Sequence, residues 1–331
     1  MIFINTLSQA RFWKTLVSCK GYSHGEIPDL TGKVAIVTGA NTGLGYATTV
    51  ALAAHGAHVF LACRNQQRAT DAIERAKKEI KEKYPQAAEP KLEFLELDLN
   101  DLAKSRQAAR NFKAKNLPLH ILVCNSGIML VPFALSADGI ETQFAVNHMG
   151  HYVFTLGLLD RLKESQPSRI AILSSLGHEG TVQGGIDFDS INDETKSSSF
   201  ERYARSKLAN ILFAKALARR LEKERVYVNV AHPGFVRTEL TRYSKDVVGS
   251  LTVNFFEALG VVAAMTPTVG SLTQLYIATS PKIETEDIRG RYFIPIAHEI
   301  LPSSYARDEE LQEKLWTFSE KLVHEKIGEL Y

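Results

Sequence analysis

The pattern of apolar and polar positions changes its period within the first folded stretch of the chain. Residues 34–37 form an unbroken apolar run, which is typical of a strand buried on both faces of a parallel sheet. Thr38 and Gly39 end that run. From Gly43 onward apolar residues return at the spacing of a helix. They are Leu44, Ala47, Val50, Ala51 and Ala54. The pattern therefore predicts a strand, a tight turn and a helix.

The same alternation continues along the chain. Apolar runs predict strands over 34–37, 58–63, 92–97, 119–124, 169–174, 226–231 and 291–294. Amphipathic stretches predict further helices over 65–83, 102–115, 142–162, 203–222, 267–278 and 308–326. Alternating strands and helices of this kind predict an α/β fold, a single doubly wound Rossmann-type domain. Its central, mostly parallel sheet would have seven strands, with helices on both faces because crossovers are right-handed.

No shift in composition marks a domain boundary, so we expect one Rossmann-type domain over residues 31–300. It would carry an N-terminal extension over 1–30, a lid over about 235–266 and a C-terminal helical extension over 301–331. The N-terminal extension is apolar and cationic, and it is too interrupted to span a bilayer. Three interpretations stay open for it: a helix packed on the domain, an interfacial membrane helix, or a cleaved organelle presequence.

Composition narrows the class of protein. The chain has 331 residues, 45% of them hydrophobic and 23% charged, as in ordinary globular proteins. The formal net charge is +2 and the basic residues are dispersed, so we expect no nucleic-acid partner. Cys19, Cys63 and Cys124 lack the spacing of metal ligands. Cys63 and Cys124 fall in predicted strands, where they would be small buried side chains in a protein of a reducing compartment.

The turn after the first strand carries glycines at the spacing G-x-x-x-G-x-G. Gly39, Gly43 and Gly45 would let the chain turn tightly, approach a phosphate and pack a helix against a strand. The N-terminus of the following helix then offers free N–H groups and its positive dipole end to that phosphate. The motif and its context predict a phosphate-binding turn, and the alternative is a tight turn without a ligand.

Other ligand-binding residues are expected at the carboxyl ends of the strands. Arg64 follows the second strand where an acid would read a ribose hydroxyl, which favours a 2′-phosphate and hence NADP(H). The alternative is a solvated arginine with either cofactor. Asp98 and Leu99 follow the third strand, where the carboxylate would suit an adenine amino group or cap the next helix. Asn125 and Gly127 belong to a second tight turn, after the fourth strand.

A tyrosine and a lysine supply the candidate chemistry. Tyr203 and Lys207 lie four residues apart on one face of a predicted helix. A phenol with the ordinary pKa of about 10 is a poor base at neutral pH. An ammonium nearby favours the phenolate and brings the pKa toward the working range. Ser175 ends the fifth strand, where its hydroxyl could hold a substrate oxygen, and Asn147 could order a water next to the lysine.

In their order along the chain, these motifs resemble those of the short-chain dehydrogenases/reductases. The matches cover roughly residues 32–294. They are 38–45 (TGANTGLG), Asp98, 125–127 (NSG), Asn147, Ser175, Tyr203, Lys207 and 233–234 (PG). The family's usual Asn-Asn-Ala-Gly turn reads Cys-Asn-Ser-Gly here, which keeps the functional asparagine and glycine. Segments 146–151, 203–210 and 232–238 are similar to the retinol dehydrogenase and WW-domain oxidoreductase branch, although this sequence contains no WW domain.

The resemblance implies an NADP(H)-dependent oxidoreductase acting on an alcohol or a carbonyl. Tyr203 would exchange the proton, and Lys207 would lower its pKa and bind the nicotinamide ribose. Ser175 would hold the substrate oxygen, and Asn147 would complete the proton relay. The cofactor itself transfers the hydride. The implied cofactor-binding residues are Gly39, Asn41, Thr42, Gly43, Leu44, Gly45, Arg64, Asp98, Leu99, Asn125, Gly127, Tyr203, Lys207, Pro233, Gly234, Val236 and Thr238, the last two on the carboxamide.

Three histidines stand near these motifs. His148 and His151 are three residues apart on a predicted helix, which is one arrangement of a metal pair. No third ligand follows at suitable spacing, and the family uses no catalytic metal, so we expect no metal. His178 follows the serine turn, where it would line the substrate pocket or face solvent.

Apolar segments indicate the substrate class and the partners. Residues 243–265 are rich in valine, leucine and phenylalanine, which suggests a lid over a sterol, retinoid, long-chain aldehyde or polyketide-like substrate. The alternative is a helix packed on the core. The C-terminal helix, with Leu311, Leu315, Phe318 and Leu322 on one face, would dock at the domain edge or at a subunit interface, which leaves a homodimer open. We expect a cytoplasmic protein, with peripheral contact to endoplasmic reticulum or lipid droplets left open.

Two other function classes compete with the oxidoreductase. An NADP-binding, redox-sensing regulator without turnover would be expected to have lost Tyr203 or Lys207, and both are present. A P-loop protein would carry a Gly-Lys-Ser/Thr ending after Gly45, and that ending is missing.

Overall fold

The computed structural model describes residues 21–236 and 265–329, which contain an eight-stranded sheet. The strands are β1 (Val34–Thr38), β2 (His58–Cys63), β3 (Leu92–Glu96), β4 (Ile121–Cys124), β5 (Ser168–Leu173), β6 (Val226–Ala231), β7 (Tyr292–Ile294) and β8 (His298–Ile300). Their order in the sheet is β3-β2-β1-β4-β5-β6-β7-β8, and only β8 pairs antiparallel. The doubly wound α/β prediction is confirmed. The sheet has one strand more than the seven predicted, because the chain turns back after β7.

The central strands are buried along their whole length. Every residue of β1, β4, β5 and β6 is buried, which accounts for the unbroken apolar runs in the sequence. The chain order reverses between β1 and β4, and in open α/β sheets ligands bind at such a reversal, beyond the carboxyl ends of the strands. The turns that follow these strands therefore meet at one edge of the sheet.

Helices cover both faces of the sheet. Those in the described residues are α1 (Gly43–Ala54), α2 (Gln66–Lys83), α3 (Leu102–Lys113), α4 (Thr142–Phe144), α5 (Gly150–Gly157), α6 (Leu159–Glu164), α7 (Ser199–Arg220), α8 (Pro267–Gly270), α9 (Leu272–Thr279), α10 (Lys282–Thr285), α11 (Ser304–Arg307) and α12 (Glu309–Ile327). One apolar cluster joins α1, α2 and α9 to the sheet, and a second joins α3, α5, α7 and α12 to its other face. The buried thiols of Cys63 and Cys124 lie in these clusters, as predicted.

The stretch predicted as one helix over 142–162 is interrupted twice. α4 passes into a π-helical turn, Ala145–Met149, in which the N–H of Gly150 donates to the carbonyl of Ala145. The chain breaks again at Leu158, between α5 and α6. A π-helical turn carries an extra residue in the turn and often occurs at functional sites. Asn147 lies at the centre of this one.

Two other helix boundaries differ from the prediction for local reasons. α7 begins four residues before the predicted start at Tyr203, because Ser198 and Glu201 form a capping box that satisfies the first N–H groups. The helix predicted over 267–278 is divided at Ser271 into α8 and α9.

Both ends of the described chain pack on the domain. Tyr22, Ile27 and Leu30 are buried against the α1, α2 and α9 cluster. In α12, Leu311 and Leu315 are buried, and the neighbouring Phe318 and Leu322 pack against the core, so the predicted apolar face is confirmed. No helix within 21–236 or 265–329 is both long and apolar enough to cross a bilayer. Residues 1–20, with Cys19, and 237–264, with Thr238 and most of the predicted lid, lie outside the described residues.

Candidate active site

The glycine turn after β1 has no room for side chains. Gly39 and Gly43 adopt φ values of +64° and +55°, a region that strongly favours glycine. A Cβ on Gly45 would lie 2.3 Å from the carbonyl oxygen of Gly39. Thr42 is the N-cap residue of α1, yet its side chain makes no capping hydrogen bond. Among the described residues no side chain accepts from the first N–H groups of α1, so these groups can meet a phosphate and the turn fits a nucleotide cofactor.

The turn after β4 is fixed to the end of β1. The Thr38 hydroxyl oxygen accepts hydrogen bonds from the backbone N–H groups of Asn125 and Ser126, each at 2.9 Å. The Asn125 side chain donates back to the Thr38 carbonyl at 2.9 Å. A Cβ on Gly45 would also lie 2.6 Å from the Asn125 amide nitrogen. Asn125 thus packs directly behind the glycine turn, where the sequence placed a cofactor-binding residue.

Gly127 brings two of the candidate catalytic groups together. A Cβ at this position would lie 3.2 Å from Asn147 Oδ1 and 3.3 Å from Lys207 Nζ. The Asn147 side chain is buried and its orientation is determined, since Oδ1 accepts from the Ile128 N–H at 2.8 Å. Its amide nitrogen donates to the Ile128 carbonyl and to the Ser206 hydroxyl, each at 2.9 Å. Protein groups therefore use both amide donors of Asn147.

Ser175, Tyr203 and Lys207 meet at the carboxyl end of β5. Tyr203 and Lys207 lie one turn apart on α7, and Lys207 Nζ is 5.8 Å from the centre of the Tyr203 ring. The phenol has a hydrogen-bond partner in the Ser175 hydroxyl. A Cβ on Gly177 would lie 3.0 Å from the Tyr203 ring and 3.4 Å from Ser175 Oγ, so this glycine leaves room for the pair. The structure brings all four predicted catalytic residues to one edge of the sheet.

Burial sets the pKa values of the tyrosine and the lysine. Burial raises the pKa of Tyr203 to about 12, and the Ser175 hydrogen bond only partly offsets it. The direction is opposite to the one expected from the lysine, because burial removes the water that would stabilise the phenolate. Burial also lowers the pKa of Lys207 to about 8. Lys207 Nζ donates one long hydrogen bond, of 3.4 Å, to the Leu173 carbonyl.

The residues after β2 and β3 divide between surface and core. Arg64 is exposed, and no described residue forms an ion pair or side-chain hydrogen bond with its guanidinium. Asp98 is half-buried and accepts from the Asn100 N–H at 3.1 Å. The alternative role for Asp98, capping the next helix, is wrong, because Asp101 caps α3. Leu99 packs its side chain into the core.

Sequence reasoning missed a second arginine beside the glycine turn. Arg75 of α2 donates to the carbonyl of Asn41 at 2.9 Å. Its guanidinium lies over the ring of Tyr46, 4.9 Å from the ring centre. No motif marks Arg75, and the only signal in the sequence is that it shares a helix face with Arg68, seven residues earlier.

The turn after β6 closes the other side of the site. Gly234 has a φ of +84°, and Pro233 precedes it. Val236 pairs with Met265 in an isolated β-bridge. A Cβ on Gly270 would lie 2.4 Å from a methyl group of Val236 and 3.0 Å from one of Leu44, so Gly270 of α8 lets Val236 approach the glycine turn.

The three histidines are buried in hydrogen-bonded positions. His178 is buried and does not face solvent: Nδ1 donates to the Ser175 carbonyl at 2.7 Å, and Nε2 accepts from the Ser303 N–H at 3.1 Å. His148 contacts the Ser319 hydroxyl at 3.2 Å, and His151 contacts Thr38. Within the described ranges no group of three histidine, cysteine or acidic side chains is placed to hold a metal ion.

Comparisons with known proteins agree with this geometry. The family model described as short chain dehydrogenase matches residues 33–248. Retinol dehydrogenase 14 of Homo sapiens is 40% identical over 299 residues, covering 88% of this chain and 86% of that protein. The WW domain-containing oxidoreductase of Homo sapiens is 40% identical over 306 residues, covering 91% of this chain and 70% of that protein. A crystal structure of a Mycobacterium paratuberculosis protein superposes with a TM-score of 0.70 at 28% identity, covering 92% of this chain and 97% of that one.

Proposed function

Because the chain belongs to the short chain dehydrogenase family, in the branch of the retinol dehydrogenases and WW domain-containing oxidoreductases, we propose that it is an oxidoreductase. Its reaction would interconvert an alcohol and a carbonyl with NADP(H). The observation that carries the proposal is the convergence of Ser175, Tyr203, Lys207 and Asn147 around Gly127 and Gly177. A bound nicotinamide cofactor supplies or accepts the hydride. The protein must hold the substrate oxygen and move one proton.

Tyr203 exchanges that proton, and Ser175 holds the substrate oxygen. With its pKa raised to about 12 by burial, the phenol is protonated at neutral pH and can act as the acid in carbonyl reduction. Alcohol oxidation needs the phenolate, which is less stable in a buried site than in water. Lys207, with a pKa of about 8, is mostly charged at neutral pH and stabilises that phenolate.

Asn147 supports the proton relay through its backbone. Its amide group is already bonded to Ile128 and Ser206, so the side chain fixes the shape of the turn around Gly127. Two acceptors of Asn147 keep a second lone pair for water: Oδ1, beside its bond from the Ile128 N–H, and the backbone carbonyl, beside its bond from His151 Nδ1. Either could hold a water next to the ammonium, which is how the lysine would regain contact with solvent protons.

The preference for NADP(H) over NAD(H) rests on two arginines. Arg64 is exposed after β2, where an acid would serve NAD(H), and within 21–236 and 265–329 its guanidinium has no ion-pair partner. Arg75 adds positive charge beside Asn41 in the glycine turn. A 2′-phosphate carries negative charge that suits both guanidinium groups. Asp98, Leu99, Asn125, Pro233, Gly234, Val236 and Thr238 stay our candidates for the rest of the cofactor.

We further propose a lipophilic substrate, such as a retinoid, sterol, long-chain aldehyde or polyketide-like compound. The support is the apolar composition of residues 243–265 and the similarity to a protein named retinol dehydrogenase 14. The extents of the catalytic domain, 31–300, and of the lid, 235–266, are part of the same proposal.

We also propose a cytoplasmic location. Cell fractionation would test whether residues 1–30 bring the protein to endoplasmic reticulum or lipid-droplet membranes. Gel filtration would test for a homodimer.

The experiment that tests the function is NADPH consumption against a panel of retinal, steroid ketones and long-chain aldehydes. We expect turnover of at least one panel member by the wild-type protein and a loss of about a hundredfold or more in Tyr203→Phe, the usual scale of general acid–base catalysis. NADPH binding without turnover on any substrate would favour the alternative, a redox-sensing regulator. Failure to bind either nicotinamide cofactor would refute both.

A further inference from the structure

His151 connects the proton relay to the phosphate-binding turn. It lies in α5, four residues after Asn147, and it is almost fully buried. One ring nitrogen, Nδ1, is 3.1 Å from the carbonyl oxygen of Asn147. The other, Nε2, is 2.9 Å from the hydroxyl oxygen of Thr38, the residue directly before Gly39. A single imidazole ring therefore joins two segments that are far apart in the sequence.

The chemistry of these neighbours determines where the protons lie. A carbonyl oxygen can only accept, so Nδ1 of His151 must carry the hydrogen that it shares with Asn147. In the neutral ring Nε2 is then an acceptor, so the Thr38 hydroxyl must donate to it. The hydroxyl oxygen keeps its lone pairs for the N–H groups of Asn125 and Ser126. Every donor in this chain of hydrogen bonds then has an acceptor, and the Thr38 hydroxyl oxygen accepts twice.

A protonated His151 would break this arrangement. Nε2 would become a donor, and the Thr38 hydroxyl oxygen would face three donors while its own hydrogen lost its acceptor. Burial, with Lys207 nearby, lowers the pKa of His151 to about 4, which agrees with a ring that stays neutral. The motif of paired histidines thus has a use that needs no metal.

We propose that His151 is a positioning residue that holds the Asn147 backbone in register with the turn formed by Thr38 and Gly39. The proposal deepens the proposed function and rests on it, because it assigns the two ends of the ring to two parts of catalysis. The Nδ1 bond holds the Asn147 carbonyl for the proton relay. The Nε2 bond orients Thr38, and through it the two turns that face the cofactor.

The chain offers a matched control in His148. This residue is also buried and lies three residues earlier, but its ring is bonded to Ser319 of α12 and to Asn210 of α7, and not to Thr38 or the Asn147 carbonyl. A role in packing alone predicts the same consequences for substitutions at 148 and at 151. A positioning role predicts that only position 151 affects the reaction.

Two substitutions separate the ends of the His151 ring. Asparagine places an amide nitrogen where Nδ1 lies, so His151→Asn keeps the hydrogen bond to the Asn147 carbonyl and loses the hydrogen bond with the Thr38 hydroxyl. The glutamine side chain reaches as far as Nε2, so His151→Gln can accept a hydrogen bond from the Thr38 hydroxyl and loses the hydrogen bond to the Asn147 carbonyl. We expect His151→Gln to lower kcat about 10-fold and to change the NADPH Kd and KM by no more than about 3-fold. We expect His151→Asn to raise the NADPH Kd about 10-fold and to change kcat by no more than about 3-fold. A factor of about 10 is the scale of one lost buried hydrogen bond. His148→Gln should lower Tm and change neither kinetic quantity by more than about 3-fold on the same reasoning.

The proposal is overturned if both His151 variants change kcat and Kd together, or change them no more than His148→Gln does. Cofactor titration and ¹⁵N NMR of the wild-type ring keep the test independent of turnover. We expect the neutral Nδ1–H form of His151 from pH 5.5 to 8, and the Nε2–H form or a titration in that range would refute the inference. A protein that binds NADPH without turning over any substrate would refute the proposed function, and the Kd contrast and the tautomer would still decide the role of His151.

Discussion

Gly127 offers a direct test of the geometry of the site, because an added methyl group would touch two of the proposed catalytic groups. In Gly127→Ala the new Cβ would lie 3.2 Å from Asn147 Oδ1 and 3.3 Å from Lys207 Nζ. Both separations are shorter than comfortable contacts of about 3.5–4.0 Å, so both groups must move by a few tenths of an ångström. Gly127 is not among the glycines with positive φ, so the backbone itself tolerates alanine.

The expected magnitudes follow from these distances. A misplacement of about 1 Å at a reacting group can cost a hundredfold in rate, so a shift of a few tenths should lower kcat about 3- to 10-fold. Alanine also restricts the unfolded chain, which stabilises the fold by about 0.4–1 kcal/mol and offsets the crowding. Tm should therefore stay within about 3 °C of the wild type, since 1 kcal/mol shifts Tm by only a few degrees in large domains.

Two further glycines calibrate the assay, which combines steady-state kinetics on the best panel substrate, NADPH titration and thermal unfolding. A Cβ on Gly25 would meet no atom within 4 Å, so Gly25→Ala should keep full activity. A Cβ on Gly45 would lie 2.3 Å from a backbone oxygen that cannot move aside, so Gly45→Ala should lose NADPH binding. Unchanged kcat in Gly127→Ala would refute the placement of Asn147 and Lys207 around Gly127. A large drop in Tm would show that packing, rather than the relay, accounts for any loss.

The other predictions concern the proton donor, the cofactor and acid stability. Tyr203→Phe should leave the NADPH affinity nearly unchanged. The double variant with Lys207→Ala should lose much less turnover than the product of the two single losses, because residues that act as a unit are not additive. Steady-state kinetics in which the two losses multiply would contradict this. Arg64→Asp should weaken NADPH at least about 10-fold and spare NADH, the scale of a lost charge-assisted contact; equal effects on both cofactors in fluorescence titrations would refute the assignment. Burial lowers the pKa of four histidines to about 3 or 4, and they are His148, His151, His178 and His232. Below pH 6.5 the unfolded chain therefore binds more protons than the folded chain. The free energy of unfolding should fall as the pH decreases, by about 1 kcal/mol per histidine at pH 5.5. Urea unfolding at pH 7 and 5.5 should show a smaller loss for His148→Gln than for the wild type, and identical losses would count against the argument.

The sequence predicts most of the sheet because local patterns determine it. An apolar run such as 34–37 can be buried on both faces only in the middle of a covered sheet, and every residue of β1 is buried. The glycine turn is equally local, since a positive φ at Gly39 and Gly43 requires glycine wherever the chain goes next. Helix interruptions at Ala145–Met149 and at Leu158 leave no such signal, because both sides of each break have helical periodicity.

In the site, the sequence identified residue types in their order along the chain. Ser175, Tyr203, Lys207 and Asn147 could be named from motifs because each follows a strand directly or lies on the long helix that comes after one. Arg75 could not be named, since its contact with Asn41 crosses thirty-four residues and depends on how α2 packs beside the turn. His178 and His151 were visible as histidines, but their partners Ser303 and Thr38 are distant in sequence.

What the sequence alone determined is therefore the set of elements and the chemistry carried at their ends, because backbone conformation and periodicity are properties of neighbouring residues. Only the tertiary structure decided how those groups behave. The local argument expected Lys207 to lower the pKa of Tyr203, whereas burial of the phenol raises it to about 12. A group loses its hydration only when segments that are distant in the sequence enclose it. The tautomer of His151 likewise depends on the Asn147 carbonyl and the Thr38 hydroxyl, which meet only in the folded chain.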